Sequence, residues 1–371
     1  MAVKSDQFKR KWVVGIVTFF NITSLLFVWF LTNYNDGFWL VNILAYSIPI
    51  FLSIIFFTII ILFFCRKYYL TFILLLAGLV LLSKPILETV SFGYLSTAKF
   101  EKDECPLNIM TFNVSTFNNH RTEAFMKDDS IFKTDFFNYL RKVPDELDIL
   151  CLQEFHHDDG DNQRIVDQIV KYTGANYFYT VPIWMPWNGG FFGIITLSKY
   201  PIVNKGTLFI GPNELNRGIF TDILYQNDTL RIINIHLHSM NIRWSNEDTV
   251  TSYKDKTKLI ISSLKEGSEE SKFQIDQVLK VVSTSPYPVI LCGDFNTFPY
   301  GYSYQKVKKV LRNSFEESGK GFGYTLNLPP YLVRLDNQFS SDEIIAIESK
   351  VIRKIKQSDH FPLVCRYIIR K

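Results

Sequence analysis

Two long uncharged stretches near the amino terminus constrain this chain more than any other feature of its sequence. Residues 12–32 contain no Asp, Glu, Lys or Arg, and residues 38–64 contain none either. An apolar run of about 18 residues or more is typical of a transmembrane helix. A buried core helix is the alternative for each stretch. A cleaved signal peptide is disfavoured, because a second apolar stretch follows within a few residues.

A third apolar stretch, residues 68–83, is shorter and ends at Lys84. Its sixteen residues reach about 24 Å as a helix, less than the bilayer core of about 30 Å. Continuation to Leu87, with the Lys84 side chain extended toward the headgroups, would close the gap. The sequence therefore predicts a membrane region over residues 1–99, with spans at about 12–32, 38–64 and 68–87, and leaves two or three spans open.

The distribution of Lys and Arg sets the orientation of these spans. Four basic residues precede the first span, residues 33–37 have none, and Arg66 and Lys67 lie between the second and third spans. Because Lys and Arg concentrate in cytoplasmic loops, this pattern places the amino terminus in the cytoplasm. Three spans would then put residues 100–371 outside the cytoplasm, whereas two would keep them inside.

The rest of the chain is close to neutral. Residues 1–99 contain eight Lys or Arg and three Asp or Glu, a charge of +5, so the total of +4 leaves −1 for residues 100–371. A protein that binds long nucleic acid through its phosphates normally carries a broad basic surface. The charge therefore disfavours nucleic acid as the partner, although a local basic groove would still permit it.

The part that follows the membrane region alternates strand-like apolar runs with segments of helical periodicity. The helical segments are residues 135–143, 163–172 and 271–282. The strand-like runs are residues 107–114, 148–153, 191–197, 219–225, 230–237, 288–293 and 361–369. Many strands with interspersed helices predict an α/β domain over residues 100–371.

Three features stay open between two interpretations. Residues 245–270 are polar and poorly periodic, which fits a solvated helix or a long loop. The aromatic residues in 177–187 form either a rim that meets lipid or substrate, or packing beneath a loop. Cys105 and Cys365 would pair only if the domain lies outside the cytoplasm, and sequence does not give connectivity.

Polar residues stand next to five of the strand-like runs. They are Asn113, Glu154, His236, Asp294 with Asn296, and Asp359 with His360. Asp294 and Asn296 are two residues apart, so in extended geometry both side chains point to the same side. The same spacing relates His236 to His238. For any one of these residues alone, a turn at a strand end or a surface placement is the competing interpretation.

In this order and with these neighbours, the polar residues resemble the endonuclease/exonuclease/phosphatase superfamily, which has the DNase I-like fold. Residues 193–202, 323–325 and 334–336 add to the resemblance, which covers residues 106–371. It implies a four-layer α/β sandwich, two packed β-sheets flanked by helices, preceded here by the two or three transmembrane helices. It also implies hydrolysis of a phosphoester.

The resemblance implies a role for each polar residue. The expected metal ligands are Asn113, Glu154 and Asp359, which would bind Mg²⁺, and Mn²⁺ would suit the same oxygen ligands. The expected catalytic residues are His236, Asp294, Asn296, Asp336 and His360. His360 is expected to act as general base on the attacking water, with Asp336 orienting its ring. Arg217 and His238 are candidates for substrate binding, and a surface or core placement is the alternative for each.

Two positions depart from the family pattern. Ser115 stands where many members have an acid, so a ligand there for a second metal ion is in doubt. Residues 335–339 are less apolar than usual around the Asp336 motif, which makes Asp336 a less secure partner for His360.

These observations lead to a membrane-anchored, Mg²⁺-dependent phosphoesterase that cleaves a phosphodiester or phosphomonoester by direct attack of water. A lipid headgroup or a small phosphoester is the favoured substrate, because the chain is anchored at a bilayer and its second part is nearly neutral. A DNase-type endonuclease outside the cytoplasm is the second interpretation. A non-catalytic binding module tethered to the membrane is the third.

Overall fold

The structure of the chain is a computed structural model. It describes residues 2–93, 106–118, 134–143, 146–157, 164–185, 190–211, 216–239, 253–329 and 331–370. The chain begins with five helices, which we call the N-terminal helices. They are α1 (Ala2–Asn33), α2 (Trp39–Ala45), α3 (Ile48–Phe64), α4 (Tyr68–Leu81) and α5 (Ser83–Thr89).

Among the described residues, one helix is long and apolar enough to cross a membrane by itself. It is the segment Arg10–Asn33 of α1. Helices α2 and α3 form a pair bent by 46°, and α4 and α5 form a pair bent by 64°. If each bent pair is one span, the described residues contain up to three spans by length and composition.

The N-terminal helices expose much of their apolar surface. They pack against each other through residues such as Leu25, Val28 and Leu74. On the outside, Phe64 is 76% exposed and Tyr69 is 81% exposed. A contiguous apolar exterior of this kind is typical of helices that lie in lipid and is rare on soluble proteins.

The rest of the described chain forms strands and helices in alternation. The strands are β1 (Ser91–Phe92), β2 (Leu107–Asn113), β3 (Ile149–His157), β4 (Tyr177–Met185), β5 (Gly190–Ser198), β6 (Ile202–Ile210), β7 (Arg217–Tyr225), β8 (Asp228–His236), β9 (Val289–Asp294), β10 (Arg312–Asn313), β11 (Lys320–Gly321), β12 (Asp336–Ser340), β13 (Ile344–Val351) and β14 (Leu363–Ile369). The helices are α6 (Asp135–Lys142), α7 (Arg164–Thr173), α8 (Tyr253–Ser283), α9 (Tyr302–Lys308) and α10 (Ser314–Ser318).

Two six-stranded sheets organise these elements. Sheet 1 has the order β13-β14-β2-β3-β5-β4, and sheet 2 has the order β10-β12-β9-β8-β7-β6. Within each sheet one central pair is parallel, β2 with β3 and β8 with β9, and the neighbouring pairs are antiparallel. The carboxyl ends of parallel neighbours lie at the same edge of a sheet, so each sheet brings two strand ends together there.

The two sheets pack face to face, and helices cover their outer faces. The core between the sheets includes Ile109 and Ile149 from sheet 1 and Ile232 and Ile290 from sheet 2. On the outer face of sheet 1, β2 and β3 pack on α6 and α7, and on that of sheet 2, β8 and β9 pack on α8 and α9. This confirms the predicted α/β sandwich of two packed sheets flanked by helices.

The predicted strand-like runs all contain strands, and the three predicted helical segments lie in α6, α7 and α8. Of the segment left open between helix and loop, residues 253–270 belong to α8 and are largely exposed, as a solvated helix would be. Residues 177–185, interpreted from sequence as an aromatic rim or as packing under a loop, form β4 at the edge of sheet 1. Cys105 and residues 186–187 lie outside the described residues, and Cys365 is a buried free cysteine.

Candidate active site

Alternation along the strands directs polar side chains into the gap between the two sheets. In β2, Ile109 packs between the sheets, and Asn113 follows on the same side at the end of the strand. In β9, Cys292 and Asp294 are related in the same way. In β8, the same alternation brings His236 to the gap. Three polar residues predicted from sequence therefore meet at one edge of the sandwich.

Asp336, the first residue of β12, lies at the same edge of the sandwich. β12 runs antiparallel to β9, and its register places Asp336 opposite Asp294. Asp336 is fully buried, and its backbone N–H donates to Thr325 Oγ1 at 3.0 Å. The isolated bridge between Leu326 and His360 brings the carboxyl-terminal histidine to the same place.

Glu154 reaches the gap through a β-bulge. The pairing of β3 with β5 shifts register between Leu152 and Phe155, and Glu154 has a φ of 48°. Gln153, the residue before it, already points between the sheets, where its Nε2 donates to Asn234 Oδ1 at 2.7 Å. Regular alternation would turn Glu154 to the opposite face, and the bulge reorients it. A non-glycine residue in the left-handed region is costly, and such residues are concentrated at functional sites.

The carboxylate of Asp294 lies at the centre of the site. Asn113 Nδ2 donates to Asp294 Oδ2 and to Glu154 Oε1, both at 3.0 Å. His236 Nε2 lies 3.8 Å from Asp294 Oδ2 and 3.6 Å from Glu154 Oε1. His360 Nε2 lies 3.7 Å from the same Asp294 oxygen. Five predicted residues from five different segments of the chain thus converge within contact distance.

His360 is bound to a buried carboxylate. Its Nδ1 lies 2.7 Å from Asp336 Oδ2, and its Nε2 faces Asp294. Burial of the ring favours the neutral imidazole, but the negative charges of Asp336 and Asp294 outweigh that effect and raise the pKa of His360 well above its usual range. The two carboxylates therefore favour the protonated form of the His360 ring.

Asn296 and Asp359 lie beside this cluster. The backbone N–H of Asn296 donates to Asp294 Oδ1 at 2.8 Å, and the side-chain Nδ2 donates to Leu237 O at 2.9 Å. Asn296 has a φ of 48°, the second left-handed residue of the site. The Asp359 side chain is exposed, and its Oδ1 accepts a hydrogen bond from Ser358 Oγ at 3.3 Å.

The two predicted substrate-binding residues differ in position. Arg217 is buried directly opposite His236 in the register of β7 and β8, and its Nη1 donates to Val181 O at 3.1 Å. It therefore links the two sheets beside the site. His238 follows the end of β8, and its Nδ1 lies 2.8 Å from Ser239 O. Within the described part of the chain, no hydrogen bond joins His238 to Asp294 or to His236.

Two supporting residues were not predicted from the sequence. Ser358 Oγ donates to Asn113 O at 2.7 Å and accepts from the backbone N–H of His360 at 3.0 Å, so it joins the two ends of the domain. Thr325 Oγ1 accepts from the backbone N–H groups of Leu335 and Asp336 at 3.0 Å each. Thr325 lies in the segment 323–325 that adds to the family resemblance, and Ser358 directly precedes Asp359, so their positions were the available signal.

Comparison with known proteins places this site in a wider context. A model described as the Endonuclease/Exonuclease/phosphatase family matches residues 110–360, which include the residues of the site from Asn113 to His360. No curated protein sequence matches the chain.

Several solved structures resemble the chain. An endonuclease/exonuclease/phosphatase family protein from Leptotrichia buccalis is 19% identical, with 70% of this chain and 98% of that chain covered and a TM-score of 0.49. D. rerio TDP2 complexed with single strand DNA product is 18% identical, with 71% and 99% covered and a TM-score of 0.49. The human Nocturnin catalytic domain with bound sulfate anion is 17% identical, with 71% and 94% covered and a TM-score of 0.45.

Proposed function

The chain belongs to the endonuclease/exonuclease/phosphatase family, and from that premise we propose that it is a membrane-anchored, Mg²⁺-dependent phosphoesterase. The reaction is direct attack of water on a phosphodiester or a phosphomonoester. Members of this family are generally phosphoester hydrolases that use divalent metal ions. The observation that carries the proposal is the position of Asp294 Oδ2, which lies within 3.8 Å of Asn113 Nδ2, His236 Nε2 and His360 Nε2.

The residues of the site fit a hard divalent cation. Asn113 Nδ2 stands between the carboxylate oxygens of Glu154 and Asp294, which marks a point of strong negative potential. Asp294, Asp336 and His360 offer ligand atoms within 4.8 Å of one another, and Asp336 Oδ1 is buried without a hydrogen-bond partner among the described residues. Carboxylate and amide oxygens are the ligands that Mg²⁺ prefers.

We assign the metal to Glu154 and Asn113. The Asp336 carboxylate is fully buried and already bound to His360, whereas the Glu154 side chain is 26% exposed and faces the gap. The exposed carboxylate of Asp359 would complete the shell of ligands. When bound, the cation would neutralise charge on the phosphoryl oxygens.

The chain's own residues would hold the water and the phosphoryl group. Asp294 Oδ2 faces the gap and would accept the proton of the attacking water. The charges of Asp336 and Asp294 favour the protonated ring of His360, so its Nε2 would donate to a phosphoryl oxygen or to the leaving oxygen. This assignment differs from the general-base role that the sequence predicts for His360.

The remaining polar residues would position the phosphoryl group. His236, at the opposite side of Asp294, would donate to a phosphoryl oxygen or to the leaving group, and Asn296 would donate from its side-chain amide. Arg217 lies behind His236 and would add positive charge beside the site. His238, whose Nδ1 lies 2.8 Å from Ser239 O, would contribute little to substrate binding.

Membrane anchoring rests on the N-terminal helices. Their length, apolar composition and exposed apolar surface support anchoring, and three spans with the amino terminus in the cytoplasm would put the site outside it. A site held at a bilayer favours a lipid headgroup or another small phosphoester. The charge of −1 on residues 100–371 gives no support to a protein that binds long nucleic acid.

The test uses the full chain purified in detergent and the generic substrate bis(p-nitrophenyl) phosphate. We expect hydrolysis with Mg²⁺, loss of activity with a chelator, and recovery when Mg²⁺ is returned. Asp294→Ala and His360→Ala should each lose the activity. Asp276→Ala, which alters an exposed carboxylate on α8, is the matched control and should keep it.

Two further measurements separate the competing interpretations. Release of headgroups from phospholipid vesicles would support the lipid substrate, whereas nicking of plasmid DNA would support the endonuclease. If the folded chain hydrolyses no phosphoester, the enzyme proposal fails and the tethered binding module takes its place.

A further inference from the structure

The N-terminal helices contact the loop that leaves the catalytic strand β9. This loop, residues 295–301, follows Asp294 directly and leads into α9. Phe298 and Tyr300 from the loop pack into the apolar cluster formed by α1, α3 and α4. The loop therefore has the catalytic carboxylate at one end and the N-terminal helices along its side.

Tyr46 makes the contact nearest to the catalytic residues. It lies at the bend between α2 and α3, and its ring packs on Phe298 with centroids 4.6 Å apart. Its hydroxyl donates to Thr297 Oγ1 at 3.0 Å and lies 3.4 Å from Asn296 O. The hydroxyl thus holds the backbone at the point where Asn296 donates to Asp294 Oδ1.

The held backbone is in a strained conformation. Asn296 has a φ of 48°, in the left-handed region, and such residues persist when the surrounding structure over-determines them. Thr297 is buried, and a Cβ added to Gly301 would lie 1.9 Å from its Oγ1, so the loop is tightly closed on itself. The Tyr46 hydroxyl lies outside this closed loop and contacts it at Thr297 and Asn296.

Two other contacts fix the far end of the loop. Asn35 Nδ2 donates to Tyr300 O at 3.2 Å, and Asn42 Oδ1 accepts from the backbone N–H of Tyr302 at 2.9 Å. Asn42 is itself buried and donates to Ser268 Oγ on α8 at 2.9 Å. The loop is therefore held at both ends by polar groups from the N-terminal helices.

The segment that precedes β12 and leads to Asp336 also contacts the N-terminal helices. Arg334 precedes β12 by two residues, and its Nη2 donates to the backbone oxygen of Glu88 in α5 at 2.7 Å. The Glu88 carboxylate binds Lys308 Nζ at 2.9 Å. The segment that leads to Asp336 thus also rests on the N-terminal helices.

We propose that Tyr46 is a positioning residue for the reaction: its hydroxyl, carried by the N-terminal helices, holds Asn296 and through it the carboxylate of Asp294 in the catalytic orientation. This inference rests on the proposed phosphoesterase function. It makes the N-terminal helices part of the catalytic unit in addition to their role as an anchor.

The test compares Tyr46→Phe with Tyr34→Phe in the full chain in detergent. Tyr46→Phe keeps the ring on Phe298 and removes only the hydroxyl. Tyr34 lies in the same N-terminal region, is 56% exposed, and has ring contacts with Trp29 and Phe30, so Tyr34→Phe controls for loss of a tyrosine hydroxyl. The readouts are kcat and KM for bis(p-nitrophenyl) phosphate, together with Tm.

We expect Tyr46→Phe to lower kcat by about 3- to 10-fold, the loss expected for one partly buried hydrogen bond, with KM and Tm little changed. Thr297→Val, which keeps the shape and removes the partner oxygen, should give a similar loss. The double variant should lose no more than Tyr46→Phe alone, because Tyr46→Phe already removes the contacts with Thr297 Oγ1 and with Asn296 O. A purely structural role would lower Tm and leave the kcat of the folded fraction unchanged.

The outcomes separate this inference from the proposed function. If the unaltered chain hydrolyses the substrate and Tyr46→Phe has the same kcat, the positioning role is overturned and the phosphoesterase stands. Equal losses in Tyr46→Phe and Tyr34→Phe would overturn the role as well. If the unaltered chain has no activity, the proposed function fails and the positioning role fails with it.

Discussion

His360 and Asp336 are joined by a hydrogen bond of 2.7 Å between Nδ1 and Oδ2, and both side chains are buried. Asp336 is held in turn by Thr325 through its backbone N–H. An acceptor fixed at Nδ1 sets the tautomer and the orientation of the ring, and its charge stabilises the imidazolium. Asp336, which does not itself face the open gap, therefore sets the direction of His360 Nε2 toward Asp294.

Asp336→Asn should lower kcat by about two to four orders of magnitude without unfolding the protein, because the amide keeps the shape but removes the charge and permits the wrong tautomer. The charge of Asp336 raises the pKa of His360, so the substitution should lower that pKa. Since His360 acts as a donor in the proposed reaction, activity falls as pH rises through its pKa. The alkaline limb of the kcat profile should therefore move to lower pH in the variant.

The check is the pH dependence of kcat for both proteins, with Tm as the control for folding. An Asp336→Asn variant that keeps the wild-type kcat would contradict the pairing of His360 with Asp336 as a functional feature. A limb that moves to higher pH would contradict the donor role.

The two histidines at the end of β8 should differ in importance. His236 Nε2 lies 3.6 Å and 3.8 Å from the Glu154 and Asp294 carboxylates, whereas the ring of His238 contacts the backbone of Ser239. We expect His236→Ala to lower kcat by about 10²- to 10⁴-fold, the usual loss for a positioned proton donor. His238→Ala should leave kcat within roughly a factor of three, because no hydrogen bond or ion pair within the described ranges joins its ring to the catalytic cluster.

Steady-state kinetics of the two variants in parallel make each the control of the other. Equal losses would show that the separation of His236 from His238 seen in the structure does not govern activity.

Removal of the metal should abolish activity reversibly, and Glu154→Gln should change the concentration of metal that is needed. The neutral amide is a weaker ligand for Mg²⁺ than a carboxylate, so we expect half-maximal activity at a Mg²⁺ concentration at least about 10-fold higher. Titration of activity with Mg²⁺ after chelation measures this shift. Glu266→Gln, an exposed carboxylate on α8, should show the wild-type titration curve.

Two of the proposed catalytic residues could be predicted from sequence because they stand at the ends of strands that the sequence reveals. Asp294 follows a run of buried apolar residues, and His236 ends another, so their positions at a sheet edge follow from the pattern. Glu154 was predicted from the residues around it in the sequence. The bulge that turns it into the gap has no signal in the sequence. Regular alternation alone would place it on the wrong face.

Two of the strands that were missed, β6 and β12, lack the expected pattern for physical reasons. β6 is mostly exposed at the edge of sheet 2 and so carries no apolar run. β12 is buried but polar: Gln338 donates to Ile109 O and to Leu363 O of the opposite sheet, at 3.1 Å and 2.9 Å. A buried polar residue whose side chain hydrogen-bonds to the backbone of a distant segment cannot be told from a surface residue by its sequence alone.

The contact of Tyr46 with Thr297 could not be predicted for a different reason. The two residues are separated by 251 positions, and Tyr46 lies in no motif. Apolar stretches indicate that helices form, but the orientation of a helical bundle against a domain depends on packing among many residues. That relation becomes visible only when both parts are seen together.

His156 should make the protein sensitive to acid. The ring is buried in β3 opposite Phe192, its Nδ1 has no hydrogen-bond partner in the described residues, and burial lowers its pKa from 6.5 to about 4. Between these two values the unfolded chain binds a proton that the folded chain does not. Stability should therefore fall by about 1.4 kcal/mol for each pH unit below 6.5, until the folded ring is protonated near pH 4.

His156→Leu removes the titrating group, so the Tm of that variant, measured in detergent from pH 7 to pH 4, should decline less steeply than the wild-type Tm. Parallel declines in the two proteins would show that His156 is not the source of the acid sensitivity.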